Sequence, residues 1–180
     1  MKKILLNQDE LVRRIDSLRS LNNKIVLTSG CFDLFHQGHV YFLNESKKHG
    51  DILVVLVNSD KYIGQQKGHG RPVNQIEKRM QDLSFVESVD IIFALKGDSV
   101  EESNKNLIDL CDKIRPEIYT TSEEYAPDPI EKKTIESNKG KIIFIAKKGG
   151  LSTSSLIKKE SGNSYEPAVR YCPKYGKKIP

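Results

Sequence analysis

His36 and His39 stand three residues apart in the stretch Thr28-Ser29-Gly30-Cys31-Phe32-Asp33-Leu34-Phe35-His36-Gln37-Gly38-His39. In the first turn of a helix that spacing puts both imidazoles on one face. Gly38 between them lets the backbone come close to a ligand. A helix N-terminus offers unpaired N–H groups and a partial positive charge, so it favours anions. Two imidazoles and a helix start therefore converge on something negative, phosphate above all. The spacing also suits a pair of metal ligands, but a zinc site needs a third or fourth, and only His49 and His69 remain. Taken singly, each histidine could equally be a helix cap or a packed side chain.

Positioning these groups requires a strand before them and a helix after them. Ile25-Val26-Leu27 is apolar and β-rich, and a helical pattern runs from about Val40 to His49. The same alternation continues along the chain. Strand-like runs cover Lys24–Thr28, Ile52–Asn58, Ser88–Phe93, Glu117–Thr120 and Lys141–Ile145, with helical stretches near 38–49, 74–85, 100–114 and 128–138. An opening helix spans about 8–21, with capping-box spacing at Asn7 and Glu10, repeated at Asn74 and Glu77. Val54-Val55-Leu56-Val57 reads as a parallel strand buried on both faces. The pattern predicts an α/β fold: a Rossmann-like, doubly wound parallel sheet of about five strands with helices on both faces. Such sheets bind ligands outside the carboxyl ends of their strands. The first motif, Asn58-Ser59-Asp60 and the segment after the last strand would all meet there.

Length and composition are compatible with this. The chain has 180 residues, enough for one core. No apolar run approaches the ~20 residues of a membrane span, and Asp9-Glu10 turn the N-terminus acidic too early for a signal peptide. A cytoplasmic location is expected. The cysteines Cys31, Cys111 and Cys172 are scattered and give no disulfide framework or metal site; Cys31 is expected to be a small buried residue. The net charge of +5 fits nucleic acid or phosphate substrates alike. Residues 1–160 read as one domain and residues 161–180 as a basic, Tyr- and Pro-containing extension.

The motif Gly30-x-Phe32-Asp33-x-x-His36-x-Gly38-His39 resembles the signature of the cytidylyltransferase-like nucleotidyltransferases. Gly150-Leu151-Ser152-Thr153-Ser154-Ser155 resembles that family's second motif. Between them, Asn58-Ser59-Asp60, Lys67-Gly68, Arg71-Pro72-Val73-Asn74 and Arg79 recur in the order found in the nucleotidyltransferase domain of bacterial ADP-heptose synthases. The resemblance covers about residues 22–160.

It implies an enzyme that joins a nucleoside triphosphate to a sugar phosphate and releases pyrophosphate, with ATP and heptose-1-phosphate as the leading pair. His36, His39, Lys47 and Arg79 are then the catalytic clamp. Gly30, Cys31, Phe32, Asp33, Gly38, Ser152, Thr153 and Ser154 are the nucleotide-binding set, with Asp33 bracing the turn and not acting as a base. Asn58, Asp60, Lys67, Arg71, Glu124 and Tyr125 are the substrate-binding set. Mg²⁺ is expected to arrive with the triphosphate, with no dedicated protein metal site. A homodimer is expected, and neither membrane nor nucleic acid as partner. One segment departs from the heptose pattern: Thr121-Ser122-Glu123-Glu124-Tyr125 stands where Lys-Gly-Gly-Asp-Tyr is usual. That leaves open a CTP-dependent enzyme acting on glycerol-3-phosphate or another phosphorylated alcohol. A non-catalytic module binding nucleotide or nucleic acid is the third reading.

Overall fold

The computed structural model describes residues 3–146. Its strands are β1 (Ile4–Leu5), β2 (Ile25–Gly30), β3 (Ile52–Val57), β4 (Ile91–Ala94), β5 (Ile118–Ser122) and β6 (Lys141–Ile145). They form one six-stranded sheet in the order β1-β4-β3-β2-β5-β6. Every neighbouring pair is parallel. The helices are α1 (Gln8–Ser20), α2 (Gln37–Lys47), α3 (Asp60–Lys67), α4 (Ile76–Ser84), α5 (Val100–Ile114) and α6 (Lys132–Ser137), with a single 3₁₀ turn at Glu123–Tyr125.

Strand alternation divides the core into two layers. Ile25, Leu27, Val54 and Leu56 face one side of the sheet. There they pack with Leu11 and Ile15 of α1, Leu107, Leu110 and Ile114 of α5, and Ile135 of α6. Val26, Leu53, Val55 and Val57 face the other side, against Leu43 of α2 and Met80 and Leu83 of α4. A parallel sheet covered on both faces needs strands apolar on both faces. The burial of Leu53 through Val57 meets that requirement.

The expected fold class holds, with six strands in place of about five. The extra strand, β1, has two residues and carries no periodicity of its own. It exists because Ile4 and Leu5 pair with Ile92 and Phe93 at the sheet edge. α3 was not anticipated either; Ser59 caps it by accepting from the Tyr62 N–H. At α1 the expected cap forms, with Asn7 Oδ1 accepting from the N–H groups of Asp9 and Glu10. At α4 the cap residue is Gln75, with no side-chain cap bond, so the Asn74–Glu77 spacing is not used. Asn74 is engaged elsewhere: its N–H donates to Asp33 and its carbonyl accepts from Arg79. α6 starts at Lys132 and not near 128, since Pro127 and Pro129 precede it.

β2 adjoins β3 on one side and β5 on the other. From β2 the chain moves to β3 and β4, then returns across the sheet to β5. The winding direction therefore reverses beside β2, and a crevice opens outside the carboxyl ends of β2 and β5. Gly30 and Ser122 end those two strands.

Candidate active site

The turn between β2 and α2 is held in an unusual backbone path. Phe32 (φ 51) and Leu34 (φ 48) both adopt left-handed conformations, which non-glycine residues take only when their surroundings enforce it. Asp33, between them, supplies the force. Its carboxylate accepts from the N–H groups of Val73 (3.0 Å), Asn74 (3.0 Å) and Leu34 (3.1 Å). Arg71 Nε lies 2.8 Å from the same carboxylate, and the two side chains are 5% and 0% exposed. Asp33 thus fastens the 71–74 segment to the turn. Gly30 keeps the turn's entrance open: a Cβ there would come within 2.9 Å of the Phe32 ring.

The two histidines cap α2 reciprocally. Gly38 N–H donates to His36 Nδ1 at 3.0 Å, and His36 N–H donates to His39 Nδ1 at 3.3 Å. Each Nδ1 therefore carries a lone pair, so a neutral ring holds its proton on Nε2. Neither Nε2 is a buried atom lacking a partner, so each remains open to a ligand. The rings stack with centroids 3.9 Å apart. Phe35 stacks on His39 from the other side at 5.4 Å. Two stacked imidazolium ions would repel, and the electrostatics keep the rings neutral. Burial, then His36, then Lys67 push His39 down to about 3, with Asp33 opposing. Burial also lowers His36. Capping and function are compatible here, because the cap uses one nitrogen of each ring and leaves the other as a neutral N–H donor.

The remaining expected residues separate into three groups. Lys67, at the end of α3, lies close enough to His39 to influence its titration, and Arg71 lies behind Asp33. Arg71 Nη2 is buried without a hydrogen-bond partner among the described residues. Of the two, Lys67 is the cation whose charge reaches His39.

Arg79, Asp60 and Asn58 form the floor beneath. Arg79 is fully buried. Its guanidinium donates to the carbonyls of Asn74 (3.0 Å), Cys31 (2.5 Å) and Asn58 (2.8 Å) and to Asp60 Oδ1 (2.6 Å). Four of its five N–H groups are so engaged, and Arg79, expected in the phosphate clamp, fixes the carboxyl ends of β2 and β3 together. Asp60, expected in the substrate-binding set, accepts from Arg79 on one carboxylate oxygen and from the Ile76 N–H on the other. Asn58 Nδ2 donates to Cys31 Sγ at 3.7 Å. Cys31 itself is half-buried, not buried as expected. Gly38 spends its N–H on the His36 cap, so that group is not free to cradle phosphate.

Lys47 lies at the wrong end. It closes the last turn of α2, and its Nζ bonds Asp90 Oδ2 at 2.5 Å and the Asp51 carbonyl. Asp51 and Asp90 precede β3 and β4, so Lys47 sits at the amino ends of the strands, opposite the crevice. An eleven-residue α2 carries its two ends about 16 Å apart, since an α-helix rises 1.5 Å per residue.

Glu124 and Tyr125 lie on the 3₁₀ turn that follows β5, with Tyr125 59% exposed. Ser152, Thr153 and Ser154, and the 161–180 extension, lie outside the described residues. A groove of about 810 Å³ runs beside the site between α2 and α4. It touches the turn only at Leu34 and Phe35 and carries none of the histidine chemistry. Among the described residues no group of three or more His, Cys, Asp or Glu comes together to hold a metal. The imidazole N–H groups and the cations at the crevice suit phosphate oxygens. No described helix is long and apolar enough to cross a membrane.

Sequence reasoning missed Tyr119 and Glu131: the Tyr119 hydroxyl donates to Glu131 at 2.7 Å and bonds Ser29 Oγ near the end of β2 at 2.8 Å, and no motif marks either residue.

The cytidylyltransferase-like family model matches residues 27–159. The bifunctional protein HldE of Actinobacillus pleuropneumoniae serotype 5b (strain L20) is 33% identical over 156 residues, covering 86% of this chain and 31% of that protein. HldE of Psychromonas ingrahamii is 34% identical over 161 residues, 89% of this chain and 32% of the relative. The chain thus spans about a third of the length of these curated relatives. A lipopolysaccharide core biosynthesis protein from Thermoplasma volcanium GSS1 superposes with a TM-score of 0.55 at 24% identity, over 70% of this chain and 97% of that one. A pantoate-beta-alanine ligase from Francisella tularensis shares the fold at a TM-score of 0.51 and 16% identity, over 81% of this chain and 67% of that one. The family model runs from within β2 across most of the chain, and on that match the chain belongs to the cytidylyltransferase-like family of nucleotidyltransferases.

Proposed function

We propose that the chain transfers a nucleotidyl group from ATP to heptose-1-phosphate, giving ADP-heptose and pyrophosphate, as a step in making surface polysaccharide precursors. An oxygen of the sugar phosphate attacks the α-phosphorus. A new P–O bond forms there, the bond to the bridging oxygen breaks, and pyrophosphate leaves with that electron pair. Such a transfer asks the protein for orientation and charge stabilisation above all.

The observation that carries the reading is the reciprocal cap of His36 and His39. It fixes both rings with Nε2–H as the available donor, so two preorganised donors meet charge as it develops on the phosphate oxygens. Lys67 and Arg71 add positive charge on the same flank. Mg²⁺, carried by the triphosphate's own oxygens, would further neutralise them. The ordered motifs shared with ADP-heptose synthases, together with the HldE relatives, support a sugar phosphate as acceptor. In this reading the protein works in the cytoplasm and pairs as a homodimer.

A second reading, CTP with glycerol-3-phosphate or another phosphorylated alcohol, is favoured by one observation. β5 ends in Thr121 and Ser122 and a 3₁₀ turn follows at Glu123–Tyr125, so that Thr121, Ser122 and Glu123 stand where the heptose pattern has lysine and two glycines. Pyrophosphate release from ATP, CTP, GTP and UTP against heptose-1-phosphate, other sugar phosphates and glycerol-3-phosphate tests both. Selective turnover of ATP with heptose-1-phosphate is the expected outcome. Turnover confined to CTP and glycerol-3-phosphate would replace the first reading with the second. A salt-dependent nucleic-acid shift without pyrophosphate release would remove both.

A further inference from the structure

The groove of about 810 Å³ between α2 and α4 shares a wall with the histidine turn. Phe35 lines it and also stacks on His39, with ring centroids 5.4 Å apart. Leu34, held at φ 48, lines it beside Phe35. Val40, in the first turn of α2, completes an apolar wall whose three side chains are only half-buried. Removing apolar surface of this kind from water is the main favourable contribution to association. The opposite wall is the carboxyl end of α4. Phe85, its C-cap residue, lines the groove and is 78% exposed.

A single exposed aromatic is ordinary. One that stands on the rim of an apolar groove gives the patch both a knob and a hole. A twofold contact between identical chains needs that combination, because the same patch must supply both sides. A peptide laid in the groove would use the hole and leave Phe85 in water. The charges suit the same arrangement. Lys78 and Glu87 both line the groove. Lys78 is 55% exposed and bonds Asp82 with one of its three donors, so it can reach a second carboxylate. Glu87 is exposed and makes no ion pair among the described residues. The patch therefore carries both signs, an acid in need of a cation and a cation able to meet it.

We propose that a second copy of this chain docks here, with Phe85 of each copy seated in the groove of the other against Phe35 and Val40, and Glu87 of each reaching Lys78 of the other. The interface stands on the groove alone. Its consequence for turnover rests on the nucleotidyltransfer reading. The ring of the second copy covers Phe35, and Phe35 is the outer member of the stack that continues through His39 to His36. The docked copy thus holds the two imidazoles from behind, and Phe85 is a positioning residue for the site of the other chain.

The test uses the full chain as wild type, Phe85→Asp and Asn44→Arg. Sedimentation velocity and pyrophosphate release from ATP with heptose-1-phosphate are followed over one dilution series. The two substitutions fall on exposed side chains of opposite walls, so the core is untouched. Wild type is expected to dimerise, and each variant to raise the dimer dissociation constant by ~30-fold or more, the usual effect of losing a central aromatic anchor or of burying an unpaired charge. The kcat per chain of wild type is expected to fall on dilution with the fraction of dimer, and both variants to show the low value throughout. A wild-type chain that stays monomeric overturns the proposal, whether the groove then holds the chain's own 161–180 extension or only water. A dimer that both variants keep at wild-type strength overturns it too, since that dimer is made through another face. Dissociation that leaves kcat per chain unaltered ends the hold on the imidazoles. A chain that dimerises through Phe85 but releases no pyrophosphate from any triphosphate keeps the interface and ends the reading of the reaction.

Discussion

At the scale of the residue, the site turns on the difference between the two nitrogens of an imidazole. In His39, Nδ1 accepts from the His36 N–H and Nε2 is left to work. An asparagine places its amide oxygen close to where Nδ1 was and has nothing in the place of Nε2. His39→Asn is therefore expected to keep the α2 cap and the fold, and to lose pyrophosphate release by ~100- to 1,000-fold, the usual cost of one preorganised donor to a developing oxyanion. Circular dichroism and a pyrophosphate-coupled assay on the same preparation check both halves. Near wild-type turnover would remove His39 from the reaction. Lys47 makes the converse case. The family pattern placed a lysine here in the clamp, but its ammonium is held by Asp90 and the Asp51 carbonyl at the far end of the sheet. Lys47→Ala should lower stability by about 1 kcal/mol or less, as for other partly exposed pairs, and leave kcat/KM within twofold. A loss beyond tenfold at unchanged stability would return Lys47 to the site.

At the scale of the element, what matters is how separate strand ends become one surface. Arg79 gathers carbonyls from the ends of β2 and β3 and from the loop before α4, and Asp33 gathers N–H groups from that same loop. Lysine cannot reproduce this, because a single ammonium lacks the planar fork that reaches several acceptors at once. Arg79→Lys is expected to cost about 3 kcal/mol, through buried carbonyls left unpaired and a disturbed ion pair whose share is small because Asp60 is 36% exposed. Urea unfolding measures it; a change under 1 kcal/mol would mean that the floor is not held by this residue. These contacts also show why part of the site could be read from sequence and part could not. The histidine pair, the glycines and the alternation of strands and helices are local patterns, visible in spacing alone. Arg79 was visible as a motif residue, but its task was not, since its partners lie between five and 48 positions away in sequence. Tyr119 and Glu131 have no motif and meet only because β5 and the start of α6 return beside β2. β1 was missed for the same reason: two residues become a strand only when a neighbour offers an edge.

At the scale of the whole molecule, the site's electrostatics set how stability depends on pH. His39 has a folded pKa of about 3 against an ordinary 6.5, first because it is buried. A depressed value means that the unfolded chain takes up the proton more readily than the folded one. The contribution of His39 is therefore complete above 6.5 and is lost as pH falls from there toward 3. One unit below 6.5 the linkage relation gives a loss of roughly 1.4 kcal/mol. For a chain of this length that corresponds to a fall in Tm of about 3–6 °C. Glu131 works in the opposite sense. Burial raises its pKa, with the Tyr119 hydroxyl and its own N–H opposing. Its contribution is complete below 4.5 and is lost as pH rises through the raised value, so it cannot be the source of an acid-side loss in this window. Thermal unfolding of wild type and His39→Asn between pH 7.5 and 5.5 isolates the histidine. Wild type should lose Tm across that range, and the variant, which keeps only the lowered His36 of the pair, should lose distinctly less. A phosphate ligand reverses the cost, because an anion beside the rings favours their protonated form. Adding the β,γ-imido analogue of ATP should therefore flatten the wild-type curve, and flatten the variant's less, since only His36 remains there to respond. Parallel wild-type curves with and without the analogue, under conditions where binding is shown independently, would mean that the imidazoles do not face the triphosphate.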